Sequence, residues 1–222
     1  MLIKRELKKR ILTSIILIVL APLCILTNKI LFFATLLVVS TICFYEWLNI
    51  NKLRFKKKKK HVNLIKILGL IYIIIFYYSS ITIYTETSKF FLIYIILVCA
   101  SSDIGGYIFG KIIGGVKLTK ISPNKTISGS IGSFLFCIIP LFFIYKTNLY
   151  LDLDFSTYNI VFCLIVSLSC QIGDLIISYF KRLNKVKDTG KILPGHGGLL
   201  DRIDGIIFAI PFALLLLKVW FY

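Results

Sequence analysis

"NIVFCLIVSLSCQIGDLIISYFKRLNKVKDTGKILPGHGGLLDRID", residues 159–204, begins as hydrocarbon and ends as salt. The apolar run 159–180 matches the roughly 20 residues a helix needs to cross a bilayer. Yet Asp174 lies within it, and the run gives way to Lys181, Arg182, Lys185, Lys187, Asp188, Lys191, His196, Asp201, Arg202 and Asp204. A charged group at the centre of a membrane helix costs roughly 2.5–3.5 kcal/mol on insertion scales, so Asp174 requires a polar partner or a polar cavity.

The rest of the chain repeats the first half of that pattern. Of 222 residues 58% are apolar and 17% charged, with a mean hydropathy of +0.88. A water-soluble domain of this size has too little interior for so many Ile, Leu and Phe side chains. Seven runs qualify as candidate spans: 11–27, 30–50, 62–85, 90–110, 128–146, 159–180 and 203–220. They predict an all-α fold, a polytopic membrane helical bundle of about seven transmembrane helices with a polar cavity facing the cytoplasm. Residues 1–222 read as one integral-membrane domain, with N-terminal helices in 1–60 and catalytic helices and loops in 90–222. Only Asn28 and Lys29 separate the first two runs, a tight helical hairpin. The basic start followed by two apolar runs reads as a retained anchor, not a cleaved signal. Cys24, Cys43, Cys99, Cys137, Cys163 and Cys170 all lie in apolar runs without a C-x-x-C pair, and read as packing residues.

The net charge of +17 would suggest nucleic acid in a soluble protein. Here the cations fall between apolar runs, where topology and anionic lipid explain them. With a cytoplasmic N-terminus, the cytoplasmic segments 1–10, 51–60, 111–125 and 181–202 carry 22 Lys or Arg, and the opposite side carries 4. The expected protein is therefore integral to a membrane, the bacterial inner membrane, with its C-terminus outside. The Lys56–Lys60 run beside a span reads as an orientation signal leaning on anionic head groups.

Glu46, Asp103 and Asp174 lie well inside apolar runs, and Asp204 stands at the start of the last one. Glu46 adjoins the basic segment 51–60 and is expected to pair with a lysine there. Gln171, Asp174, Ser178 and Lys181 share a helix face, either as a substrate-facing stripe or as a hydrogen-bond seam between helices. The loop "GKIIGGVKLTKISPNKTISGS" offers Lys111, Lys117, Lys120 and Lys125 to balance an anion. Its Gly110, Gly114, Gly115 and Gly129 would let backbone amides approach closely. Ser128 or Ser130 is placed to cap the next helix; no G-K-[ST] ending makes this a nucleotide P-loop. Asp201 and Asp204 stand one turn apart at the start of the last span, as metal ligands or, for Asp201, as a helix cap. Carboxylates among many cations at a membrane edge suit an anionic substrate carried with a divalent ion.

The segment from Ser178 to Asp204, S-Y-F-KR-LNKV-KD-T-G-KI-LP-G-HGG-L-L-DR-I-D, resembles the signature of the phosphatidate cytidylyltransferases, the CDP-diacylglycerol synthases. "QIGDLIISYFKR", "ISPNKTISGS", "DIGGYIFGK" and "YEWLNI" resemble further motifs of that family. Departures are Asn124 in place of a lysine, Ser128 in place of glutamate, Ile104 in place of threonine and Gly205 in place of serine. The resemblance implies transfer of a cytidylyl group from CTP to phosphatidate, giving CDP-diacylglycerol and pyrophosphate, by a homodimer in the bilayer with no nucleic acid partner. It implies Mg²⁺, with a second cation as an open alternative, held by Asp174 and Asp201, with Asp204 as a third ligand. Lys125, Lys181 and Arg202 would hold phosphates, and Asp103, Asn124, Ser178 and Arg182 would complete the substrate site. Lys187, Asp188 and His196 belong to the signature's catalytic set; His196 reads equally as a general acid towards pyrophosphate or as a structural loop residue. Other readings are a CTP-dependent transferase for another lipid phosphate, a non-catalytic paralogue, or an ion-coupled transporter.

Overall fold

The computed structural model describes residues 13, 16, 19–50, 59–119, 121–123, 125–147, 151, 153–195 and 197–221. Asn124, His196, Lys120, Lys56–Lys58 and residues 11, 12, 14, 15, 17 and 18 of the first candidate span lie outside the described residues. The described elements are α1 (Lys29–Ile50), α2 (Lys59–Thr82), a π-helical turn (Ile83–Thr87), α3 (Lys89–Ile112), α4 (Ile127–Phe136), α5 (Ile139–Thr147), α6 (Thr157–Leu183) and α7 (Leu200–Phe221). Six stretches among them are long and apolar enough to span a membrane: Lys29–Ile50, Asn63–Thr87, Lys89–Ile112, Ile127–Thr147, Thr157–Leu183 and Leu200–Trp220. Each falls within three residues of an expected run. In hydrocarbon no water can serve the backbone, so an apolar run closes its own hydrogen bonds as a helix. Pro140 breaks the fourth stretch: α4 ends at Phe136, and α5 restarts at Ile139 with the proline in its first turn, where the missing N–H has no partner to lose.

The backbone divides into two compact units, Met1–Tyr78 with Phe180–Ile203, and Ser79–Tyr179 with Asp204–Tyr222. In the first, Trp47 of α1 is the pivot. Its Nε1 donates to Ile65 O of α2 at 3.1 Å, and its ring meets Phe180 edge-on at 4.7 Å. Gly69 makes this possible, because a Cβ there would collide with the indole. Phe32, Leu36, Cys43 and Ile50 of α1 and Ile73 and Phe76 of α2 are also buried.

In the second unit α3 and α4 touch backbone to backbone. A Cβ on Gly105 would strike Gly132 O, and one on Gly129 would lie 2.8 Å from Gly106 O. Small residues three and four apart are how membrane helices approach when lipid is as apolar as their own side chains. Gly110 belongs to this contact too, packing on Thr126 and Gly129. Thus Gly110 and Gly129, expected to open the loop to an anion, instead seat one helix on another. Gly114 and Gly115, with φ of 62° and 95°, carry the turn between them. Elsewhere Tyr94 bonds Cys163 at 2.9 Å and Ser102 bonds Ser167 at 2.7 Å, tying α3 to α6. Five of the six cysteines are buried and none is paired, as packing residues should be.

Candidate functional site

Two polar clusters stand out, one in each unit. The first surrounds Asp174 on α6. Lys125, just before α4, places Nζ 2.6 Å from Asp174 Oδ2, and Ser178 Oγ, one turn on, donates to Oδ1 at 3.2 Å. Lys125 Nζ also reaches Gln171 O at 3.4 Å. The pair is about a third exposed, 26% and 33%. Asp103 of α3 contacts Cys170 Sγ at 4.0 Å and has Asp174 and Lys125 as its electrostatic neighbours. Asp103, Lys125, Asp174 and Ser178 thus come together.

Gln171 parts from this group. Its Oε1 accepts from Ser130 Oγ at 2.6 Å and its Nε2 donates to Ser167 Oγ at 3.3 Å, extending the Ser102–Ser167 bond into a seam. The hydrogen-bond seam expected of the α6 stripe is therefore realised in Gln171, while Asp174 and Ser178 join the Lys125 cluster. The helix cap differs from expectation. Thr126 caps α4 by accepting from Gly129 N at 3.1 Å, while Ser128 Oγ donates to Gly114 O at 2.5 Å and Ser130 turns to Gln171. The β-bridge Lys117↔Thr126 fixes the backbone ahead of the helix, which is why the cap falls on Thr126.

The second cluster surrounds Asp201 in the first turn of α7. Lys181 Nζ meets Oδ1 at 2.8 Å, while Oδ2 accepts from Thr189 N (2.7 Å), Thr189 Oγ1 (3.0 Å) and Gly198 N (3.0 Å). The pair is enclosed, at 11% and 6% exposure. Three of these four contacts fall on Oδ2 and one on Oδ1. Thr189 leads on to Glu46 of α1, whose Oε2 lies 3.0 Å from the same hydroxyl. Glu46 is buried and accepts also from Leu199 N at 3.1 Å and Leu200 N at 2.9 Å. The described partners of Glu46 are the signature loop and the amide end of α7; residues 51–58 of the basic segment it was expected to pair with lie outside the described residues. A helix N-terminus offers unmade N–H bonds and positive potential, which a buried carboxylate needs.

The loop between Lys181 and Asp201 is shaped around these carboxylates. α6 ends with Val186 N bonding Lys181 O and Lys185 N bonding Arg182 O, both at 3.0 Å, with Lys185 left-handed at φ 57°. Pro194 and Gly195, the latter at φ 80°, form the tip, and Leu193 N closes on Gly197 O at 2.9 Å. Gly190 and Gly198 lie against Glu46, where a Cβ would collide with its carboxylate. Arg182, Lys187, Asp188, Lys191 and Arg202 stand exposed around the loop. Asp204 is further along α7, its Oδ1 accepting from Gly205 N at 2.9 Å.

The donor chemistry bears on a divalent cation. Among the described residues no group of three or more His, Cys, Asp or Glu side chains is assembled for a metal. Carboxylate oxygens are nonetheless the hard ligands Mg²⁺ takes, completed by water and substrate phosphate. Asp174 and Asp201 each already present an oxygen to an ammonium group, at 2.6 and 2.8 Å. Asp174, the more exposed, fits a ligand's role with little change; for Asp201, Lys181 would have to yield its place.

The fold is that of a helical protein with membrane-spanning stretches that keeps carboxylate–lysine clusters near helix ends beside a glycine-bearing loop. The chain is a member of the cytidylyltransferase family, whose sequence profile matches residues 8–86 and 56–220. It is 46% identical over 131 residues to the phosphatidate cytidylyltransferase of Staphylococcus aureus strain COL, a match covering 57% of this chain and 48% of that protein. It is 44% identical over 133 residues to the phosphatidate cytidylyltransferase of Staphylococcus haemolyticus, and 41% over 131 residues to that of Staphylococcus saprophyticus, with the same coverage, 57% and 48%. The chain spans about half the length of the curated relatives it matches. Glu46 and Thr189 are the functional candidates sequence reasoning passed over. The signals for Glu46 were a carboxylate placed in an apolar run and its place in "YEWLNI".

Proposed function

We propose that the chain transfers the cytidylyl group of CTP to phosphatidate, releasing pyrophosphate and giving CDP-diacylglycerol for phospholipid synthesis. The observation that carries this is the family match through the Ser178–Asp204 segment, which folds back on two carboxylates with lysines at hand. Phosphatidate is already an anion at neutral pH, so its phosphate oxygen can attack the α-phosphorus of CTP without a strong base. The reaction needs alignment and charge neutralisation as pyrophosphate leaves. Lys125, Lys181, Arg182 and Arg202 supply positive charge to the phosphates, and Ser178 and Asp103 orient groups beside Asp174. Lys187, Asp188 and His196 complete the signature. Bound Mg²⁺ would neutralise phosphate oxygens, with Asp174 and Asp201 as its ligands and Asp204 as a third.

The excess of cations on one side of the spans supports an inner-membrane protein with this chemistry at the cytoplasmic face, where CTP is found. Family membership supports a homodimer. The test is direct: purified protein in nanodiscs is given labelled CTP, Mg²⁺ and, in separate samples, phosphatidate, a polyprenyl phosphate or an archaeal-type glycerol phosphate lipid. CDP-lipid forming with phosphatidate is the expected result. Product from another acceptor alone would move the assignment to a related transferase.

A further inference from the structure

We propose that Glu46 is a positioning residue: it holds the signature loop and the first turn of α7 so that the Asp201–Lys181 pair is presented in one fixed arrangement. Its consequence for turnover rests on the cytidylyltransferase reading; its consequence for the loop does not.

A buried carboxylate is costly unless its oxygens are well served by donors. Glu46 has two backbone donors, Leu199 N and Leu200 N, and shares the single hydroxyl proton of Thr189 with Asp201; these three groups all lie more than 140 residues away in sequence. Two of these are amides at the start of α7, so the side chain caps that helix from a different element. The third is a hydroxyl lying 3.0 Å from both Glu46 Oε2 and Asp201 Oδ2. Thr189 thereby ties Glu46 to Asp201, and Asp201 in turn holds Lys181 at 2.8 Å. Gly190 and Gly198 have no room for a side chain because the Glu46 carboxylate fills it. The loop is thus moulded on a carboxylate that is itself buried from solvent.

The hydroxyl offers a clean cut. Thr189→Val keeps the shape, the amide bond to Asp201 and both caps from Glu46, but removes the link between the carboxylates. Glu46→Gln turns an –NH2 towards an N–H donor whichever way the amide lies. In nanodiscs containing phosphatidate, with CTP varied, T189V is expected to lower kcat about tenfold while KM for CTP stays within about threefold. T189S, which restores the hydroxyl, should recover most of that loss. E46Q should lose at least as much as T189V, and the double variant about as much as E46Q alone, as linked residues do.

Hydrogen exchange over residues 188–200, read in the same samples, should quicken about tenfold in E46Q and in T189V. If E46Q does not fold, T189V and T189S decide alone. Exchange unchanged in T189V, or T189S losing as much turnover as T189V, overturns the proposal. If the parent protein makes no CDP-lipid, the functional reading fails, and exchange by itself settles the positioning role.

Discussion

At the scale of single residues, the two carboxylate–lysine pairs differ in what their loss should do. Asp174 is a third exposed and its surroundings stay polar without it, so Asp174→Asn should fold. It should lose about a hundredfold or more in CDP-lipid formation, because a residue acting on phosphate charge matters chiefly when that charge is reorganised. Activity within a few-fold of the parent would remove Asp174 from the chemistry. Lys181→Met is a different experiment. The Lys181–Asp201 pair is enclosed, and breaking a buried pair from one side costs about 3–5 kcal/mol, since the partner stays charged in a poor solvent. It should show as a large drop in thermal midpoint as well as in activity. Lys185 carries a milder lesson. Its φ of 57° is the left-handed conformation that a Cβ disfavours by about 1–2 kcal/mol, at the C′ position where glycine is usual. Lys185→Gly should raise Tm by a few degrees, on the order of 2–4 °C per kcal/mol.

At the scale of helices, contacts follow from which positions lack a side chain. Gly205 of α7 and Gly173 of α6 are examples: a Cβ on Gly205 would collide with Cys170 Sγ, and one on Gly173 would lie 2.7 Å from the Phe208 ring. Gly205→Ser, the residue the family resemblance leads one to expect, should therefore destabilise this chain by about 1–3 kcal/mol. Thermal unfolding in detergent would register it, and adding Cys170→Ala should return part of the loss. Helix ends were legible in sequence because apolar runs must be helical in lipid and because charge marks where they stop. The partners of each helix were not. Nothing along the chain says that Gly110 serves α4 and not an anion, or that Thr126 caps in place of Ser128. Those outcomes depend on how closely two backbones approach. The site was legible to the extent that a carboxylate in a span must be polar-partnered: Asp174 followed from that rule. Glu46 obeys the same rule, but its nearest lysines in sequence drew attention away from partners more than 140 residues distant.

At the scale of the whole chain, the distribution of charge makes the strongest claim, because it concerns every loop at once. Lys and Arg number 22 in segments assigned to the cytoplasm and 4 in those opposite, and the segment around Asp154 carries acid where its counterpart at Lys191 carries base. Inserting cations are retained on the cytoplasmic side, so an alternating excess this consistent supports the proposed orientation, with the signature loop in the cytoplasm. Two exposed positions report it: Asp154, between α5 and α6, and Lys191, between α6 and α7. In a parent with Cys24 replaced by serine, the remaining native cysteines are buried and give little background. A membrane-impermeant thiol reagent added to intact bacterial cells, made outer-membrane permeable where needed, should label Asp154→Cys and spare Lys191→Cys until the cells are opened. The reverse pattern would place the signature loop away from CTP. No arrangement of its carboxylates could then serve cytidylyl transfer in the cell, whatever the purified protein does in a nanodisc open on both faces.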